Sequence, residues 1–264
     1  MPGIKLAPDL SIYYLDFNSQ GSKTVLLLHG LGVTGNSWQL QIPPLVEAGF
    51  RVLVPDARGF GQSPFPGGKV RIAEMAADFA GLIQSLQIRA VEVAGISMGG
   101  TLAIQLALDY PQLVRKLVLV NTFAKLQPDR LRDWLYLVMR FLLVHTLGLP
   151  TQAQLVARHL FPGPGQEALR QTLIEQINQA DPRGYRAVMR ALARYDVRKR
   201  LQEINVPVLV ITGENDQTVS LQNQIRLVKA LLNARHEIIP GAGHAVIVEQ
   251  AEIFNRIFLD FLDK

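Results

Sequence analysis

Short apolar, β-branched runs recur along the chain, with amphipathic stretches of helical spacing between them. The runs fall at residues 11–17, 24–30, 51–57, 90–96, 116–122, 206–213 and 236–240. Helical patterns fill 36–48, 73–87, 98–109, 219–233 and 249–262. Several runs, such as "TVLLLHG" and "VPVLVITG", are apolar on both faces. That suits central strands of a parallel sheet with helices packed on each side. The alternation predicts an open α/β sheet with right-handed crossovers. Residues 124–203 break it: they lie between two strands yet read only as helices, punctuated by Pro150, Pro162, Pro164 and Pro182. The expected organisation is a core at 1–123 and 204–264 with a helical cap at 124–203. Ligands of open α/β sheets bind outside the carboxyl ends of the strands, so an insertion leaving and returning there would cover the site.

One stretch of the insertion, "WLYLVMRFLLVHTLGLP" (134–150), is apolar enough to raise a membrane span. It is short for one, and Arg140 interrupts it. A buried or pocket-lining helix is the expectation, with an interfacial helix or a homodimer contact as the alternative. The 264 residues are 48% apolar and 19% charged, a soluble globular balance. Cysteine is absent, which excludes disulfides, thiolate catalysis and Cys-based zinc sites. "MPGIKLAPDL" at the N-terminus has no apolar core of signal-peptide length, and a cytoplasmic protein is expected. The net charge of +5 is spread along the chain, with local density at 183–203. Those arginines have helical spacing and no accompanying stacking aromatics, so a solvated face is expected and a nucleic-acid partner is not.

The candidate chemistry centres on "GISMG" (95–99), a G-x-S-x-G pattern between a strand and a helix. A sharp turn there would expose the Ser97 hydroxyl at the strand's carboxyl end and place it at a helix N-terminus. A serine hydroxyl needs a base to become a nucleophile. Of the five histidines, His244 lies in "PGAGHAVIVEQ", a glycine-rich loop after the last strand and at the same edge as Ser97. His145 and His159 fall in the insertion and read as packing or surface residues; His236 begins a strand and reads as structural. The base needs an orienting carboxylate, and "ITGENDQTV" supplies Asp216, with Glu214 nearer the strand end as the alternative. The order Ser97, Asp216, His244 is the order of hydrolases on this kind of sheet. Donors for a developing oxyanion would be the backbone N–H groups of Met98 and Leu31. His29 then shapes the loop that carries Leu31. "GLGVTG" (30–35) competes as a dinucleotide fingerprint, with Asp56 near the place of a ribose-binding acid. That reading leaves Ser97, Asp216 and His244 without a task. It also does not account for the extension "IKLAPDLSIYYLDF" ahead of the motif.

With "HGLG" at 29–32, "DARGFGQS" at 56–63, "GISMGG" at 95–100, "GENDQTV" at 213–219 and "GAGH" at 241–244, the chain resembles the α/β-hydrolase fold superfamily over nearly its full length. The resemblance implies an eight-stranded, mostly parallel sheet with a helical cap inserted after the sixth strand. It implies a catalytic triad of Ser97, Asp216 and His244, and a structural turn at "DARGFGQS" tied by Asp56 and Arg58. The serine argues against the branches that use an aspartate nucleophile. "HGLG" and "SMGG" are similar to carboxylesterases and enol-lactonases, whereas C–C bond hydrolases usually carry an aromatic residue where this chain has Ala245. The resulting expectation is a cofactor-free, metal-free serine hydrolase of small or medium carboxylic esters. Lactonase, perhydrolase or C–C hydrolase activity on the same triad is the alternative, and a slow-turnover small-molecule receptor is the second class. The insertion's composition points to an apolar pocket, with Trp38, Phe123, Trp134 and Leu137 as candidate walls.

Overall fold

The structure is a computed structural model and describes residues 3–263. Its frame is a single eight-stranded sheet. Every residue of β5 (Val91–Ile96) and β7 (Val208–Gly213) is buried, as is all of β3 (Lys23–Leu28) except Lys23. Alternation along β3 shows why: Leu26 and Leu28 enter one core, and Val25 and Leu27 enter a second core on the opposite face. Burial on both faces is what the continuous apolar runs require.

The remaining strands are β1 (Gly3–Ala7), β2 (Leu10–Phe17), β4 (Phe50–Pro55), β6 (Val114–Val120) and β8 (Ala234–Ile239). Their order across the sheet is β1-β2-β4-β3-β5-β6-β7-β8. β1 pairs antiparallel with β2, and β2 antiparallel with β4; all other pairs are parallel. β1 is the strand that hydrophobic patterning did not locate. Its burial alternates between exposed and half-buried, so it presents no apolar face to read. The extension ahead of the glycine motif is therefore an edge hairpin.

Helices α2 (Ile72–Ser85) and α3 (Met98–Asp109) pack on one face. On the other lie α1 (Ile42–Glu47) and α10 (Ala251–Asp263), the latter through Phe254, Phe258, Phe261 and Leu262. The predicted helix at 36–48 is in fact a 3-10 turn, Gly35–Trp38, followed by α1. Pro43 and Pro44 sit in the first turn of α1, where missing N–H groups do no harm, but a helix running through them from residue 36 would lose bonds and clash. The predicted helix at 249–262 is α10, which starts two residues later, and a separate short helix, α9 (Val246–Glu249), precedes it. α8 (Leu221–Ala230) connects β7 to β8.

Four helices stand between β6 and β7: α4 (Leu131–Thr146), α5 (Gly148–Leu160), α6 (Glu167–Gln179) and α7 (Pro182–Arg194). The chain leaves β6 and comes back beside itself, where Lys125 forms a bridge to Asp196 and Val197 N–H donates to Ala124 C=O at 3.0 Å. Three arginines of 183–203 form surface ion pairs, Arg183 with Asp181, Arg198 with Asp196, and Arg200 with Asp109 and Glu203. No helix among the described residues is long and apolar enough to cross a membrane.

Candidate active site

β3 and β5 are neighbours whose chain connections depart to opposite sides of the sheet, through β4 and β6 respectively. A crevice at their carboxyl ends is the topological switch point of the fold. Ser97 stands there. It adopts φ 53°, ψ −114° between β5 and α3, a backbone region that L-residues rarely occupy. The surrounding glycines explain how the turn closes. A Cβ on Gly95 would overlap the Gly99 carbonyl, one on Gly99 would overlap the Leu28 carbonyl, and one on Gly100 would strike Thr122. Each glycine thus removes a methyl where strand and helix cross. The turn is fastened by Ser97 N–H to Val120 C=O at 2.9 Å and by Thr122 Oγ1–H to Ser97 C=O at 2.6 Å.

Asp216 and His244 meet across two loops. His244 Nδ1 and Asp216 Oδ2 are 2.8 Å apart. The other carboxylate oxygen, Oδ1, accepts from the N–H groups of Thr218 at 2.7 Å and Val219 at 3.0 Å. Asp216 is thereby fixed before it meets the imidazole, and its side chain is fully buried. The ionised carboxylate accepts and cannot donate, so the shared proton sits on Nδ1 and Nε2 is free to act as a base. Glu214, the alternative acid, is exposed and accepts from Gly241 N–H at 3.0 Å. Among the described residues no hydrogen bond joins Ser97 Oγ to His244, yet both line one cavity.

Two residues that sequence reasoning missed hold these loops. Asn121 follows β6, is fully buried and sits at φ 44°. Its amide nitrogen donates to the carbonyls of Gly243 at 3.0 Å and His244 at 2.8 Å, and its amide oxygen accepts from Gly213 N–H at 2.9 Å. One side chain therefore ties the end of β7 to the histidine loop. Glu249 accepts from Gly243 N–H at 2.8 Å. Burial pushes its carboxyl above the usual range, against the pull of that N–H and of His244. The signals in the sequence were slight: an Asn ending an apolar strand, and a Glu five residues past the histidine.

Met98 opens α3, so its N–H has no partner inside the helix. Leu31 lines the cavity beside Ser97, and its N–H likewise has no partner among the described residues. His29 is buried and shapes this loop as expected. Nδ1 bonds Gly30 C=O at 2.8 Å and Nε2 accepts from Ala57 N–H at 2.9 Å. Burial lowers its pKa, and the two backbone partners fit only a neutral ring with its proton on Nδ1. The dinucleotide reading meets an obstacle here. Asp56 spends its carboxylate on Gly35 N–H at 2.9 Å and Gln62 N–H at 3.0 Å, and is buried. Arg58 does not share that task; it forms a two-pronged pair with Asp78 of α2, at 2.6 and 2.5 Å.

The cavity has a volume of about 570 Å³. The sheet edge supplies Gly30, Leu31, Ser97 and His244; the helices after β6 supply an apolar wall that includes Leu137, Val138, Leu160 and Leu173. Phe123, Trp134 and Leu137 line this cavity, although Trp134 is also 58% exposed. Trp38 does not. It is fully buried in the core on the far face of the sheet, with its ring 6.2 Å from that of Phe254. The 3-10 turn before α1 aims it toward α10, away from the crevice. His145 lies on the surface against Phe141 C=O and Arg190. His159 stacks on Tyr136 with ring centroids 3.8 Å apart, and burial lowers its pKa. His236 meets the Thr212 hydroxyl at 2.9 Å.

A crossed sheet with a strained serine at its switch point, beneath a mostly apolar cavity, defines a hydrolase scaffold. The chain belongs to the alpha/beta hydrolase fold family, whose model matches residues 23–251. It is 32% identical over 252 residues to 3-oxoadipate enol-lactonase 2 of Acinetobacter baylyi, covering 94% of this chain and 92% of that protein. It is 30% identical over 281 residues to the 2-hydroxy-6-oxo-6-phenylhexa-2,4-dienoate hydrolase of Comamonas testosteroni, covering 96% and 93%. The crystal structure of the enol-lactonase from Burkholderia xenovorans superposes with a TM-score of 0.90 at 26% identity, covering 100% of both chains. The protein is an enzyme of this family.

Proposed function

We propose that the protein hydrolyses carboxylic esters, open-chain or cyclic, through an acyl-enzyme on Ser97. The observation that carries the reading is the pairing of a serine at φ 53° with an imidazole already oriented by Asp216 at 2.8 Å, both facing one cavity. His244 Nε2 takes the Ser97 proton as Oγ attacks the carbonyl. The Leu31 and Met98 N–H groups receive the tetrahedral oxyanion. Asp216 holds the ring and offsets its positive charge. His244 then gives its proton to the leaving alkoxide, and water releases the acid by the same steps reversed. Residues 124–203 act as the cap that selects the acyl or alcohol part, with Phe123, Trp134 and Leu137 among its contacts, over a core of 1–123 and 204–264. The likeness to enol-lactonases favours a cyclic ester among the substrates, since ring opening needs the same attack and the same donors.

The test is hydrolysis of p-nitrophenyl esters of graded length and of simple lactones, wild type beside Ser97→Ala. Sustained turnover that falls by a factor on the order of 10⁴ or more in the variant is the expected result. Equal rates in the two proteins would refute the reading. A single burst of one equivalent, without further turnover, would favour a receptor with a vestigial triad.

A further inference from the structure

Arg140 is the one cation in the wall of the cavity that holds Ser97 and His244, among the described residues. It projects from the middle of α4 and is 9% exposed. No carboxylate pairs with it among the described residues, whereas Arg58, which is only partly buried, has Asp78. What surrounds it is neutral. Nη2 donates to the Tyr185 hydroxyl at 3.1 Å. The Gln152 amide, turned to satisfy both groups, accepts from Nε at 2.9 Å and donates to the Arg140 carbonyl at 3.1 Å. The Tyr136 ring lies 5.7 Å from the guanidinium carbon. These contacts aim the fork and leave the Nη1 hydrogens without a partner among the described residues. A guanidinium cannot shed its charge, and burying one without an anion is unfavourable. Nearby, the buried Tyr136 and Thr218 hydroxyls also lack partners, and Thr218 lines the same cavity.

We propose that Arg140 is an anion subsite, and that the substrate carries a carboxylate on the part that reaches under α4. The substrate class is then a half-ester or carboxylate-bearing lactone, held by a two-pronged bond to Arg140 while its ester carbonyl lies at Ser97. This rests on the ester-hydrolase reading for the second contact only; the anion site stands on the cavity geometry.

The experiment compares p-nitrophenyl monoesters of glutaric and adipic acid with the same acyl groups ending in a carboxamide, which matches their shape without the charge. In the wild type, kcat/KM favours the acids by about tenfold or more at low salt. In Arg140→Gln that ratio drops at least tenfold, and in Arg140→Lys it falls part-way, because a point charge replaces the fork. Indifference to the charge in the wild type, or a ratio unmoved in both variants, overturns the proposal. Should Arg140→Gln fail to fold, the wild-type and Arg140→Lys ratios decide. A binding arm separates the two readings: adipate, but not adipamide, raises the melting temperature of Ser97→Ala, loses that effect when Arg140→Gln is added, and keeps part of it when Arg140→Lys is added. Binding without turnover of any ester would refute the hydrolase reading and leave the anion site standing; absent binding overturns the anion site whatever the turnover.

Discussion

Replacing Asn121 by Ala tests how the two loops of the site are held. The side chain makes three hydrogen bonds to backbone groups, and the residue is fully buried. At a net ~1 kcal/mol each, their loss amounts to about 3 kcal/mol. Ala at φ 44° adds roughly 1 kcal/mol, since Asn tolerates the left-handed region better than Ala does. The variant should therefore unfold about 4 kcal/mol more easily in denaturant. The same bonds set the distance between the Gly213 end of β7 and the His244 carbonyl, so kcat should fall by at least about tenfold while KM changes little. Denaturation at equilibrium and steady-state hydrolysis of one good ester measure both quantities. A folded variant that loses stability yet keeps its wild-type kcat would refute the positioning argument. A stability change below about 1 kcal/mol would refute the energetic one.

Gly99→Ala should cost ~3 kcal/mol or more, because its methyl overlaps the Leu28 and His29 carbonyls; Gly49→Ala, at φ 85° with open space around it, should cost only ~1 kcal/mol by the same denaturation assay. His29, His159 and His236 all have pKa values lowered by burial. The unfolded chain therefore takes up protons first, so stability is full above pH 6.5 and declines as pH falls below it; His29→Asn should flatten that decline in denaturation curves taken between pH 7 and pH 5. Trp38→Ala should lower stability by ~3–5 kcal/mol without altering the order of preference among acyl chain lengths. Trp134→Ala should do the reverse, barely moving the melting temperature and shifting the preferred chain length.

The sheet was legible because a strand buried on both faces must be apolar at every position, and six of the eight strands are interior to the sheet. β1 was not, because an edge strand with no buried face obeys no such rule. Ser97 could be read since the glycines its turn demands are close by in the chain. Asn121 could not: its partners lie 92 to 123 residues further along. Trp38 shows the same gap from the other side. An indole after a glycine-rich loop has two faces of the sheet to choose from, and the local sequence does not say that it packs beside Phe254. Arg140 stood out in the sequence as a charge interrupting an apolar helix. That no carboxylate among the described residues pairs with it emerged only once the surrounding side chains were placed.

The bridge between Lys125 and Asp196 has a bearing on how such a chain diversifies. It closes the excursion between β6 and β7 at its base, with an ion pair at 3.3 Å between the same two residues. Chain beyond that clasp can lengthen, shorten or be exchanged without stretching the strands it springs from. Doubling the length of such a loop adds only ~0.6 kcal/mol of closure entropy. A lineage could therefore rewrite the helical wall of the cavity many times over while inheriting the sheet edge that carries Ser97 unchanged, which makes the clasp a natural splice point for hybrids with its relatives.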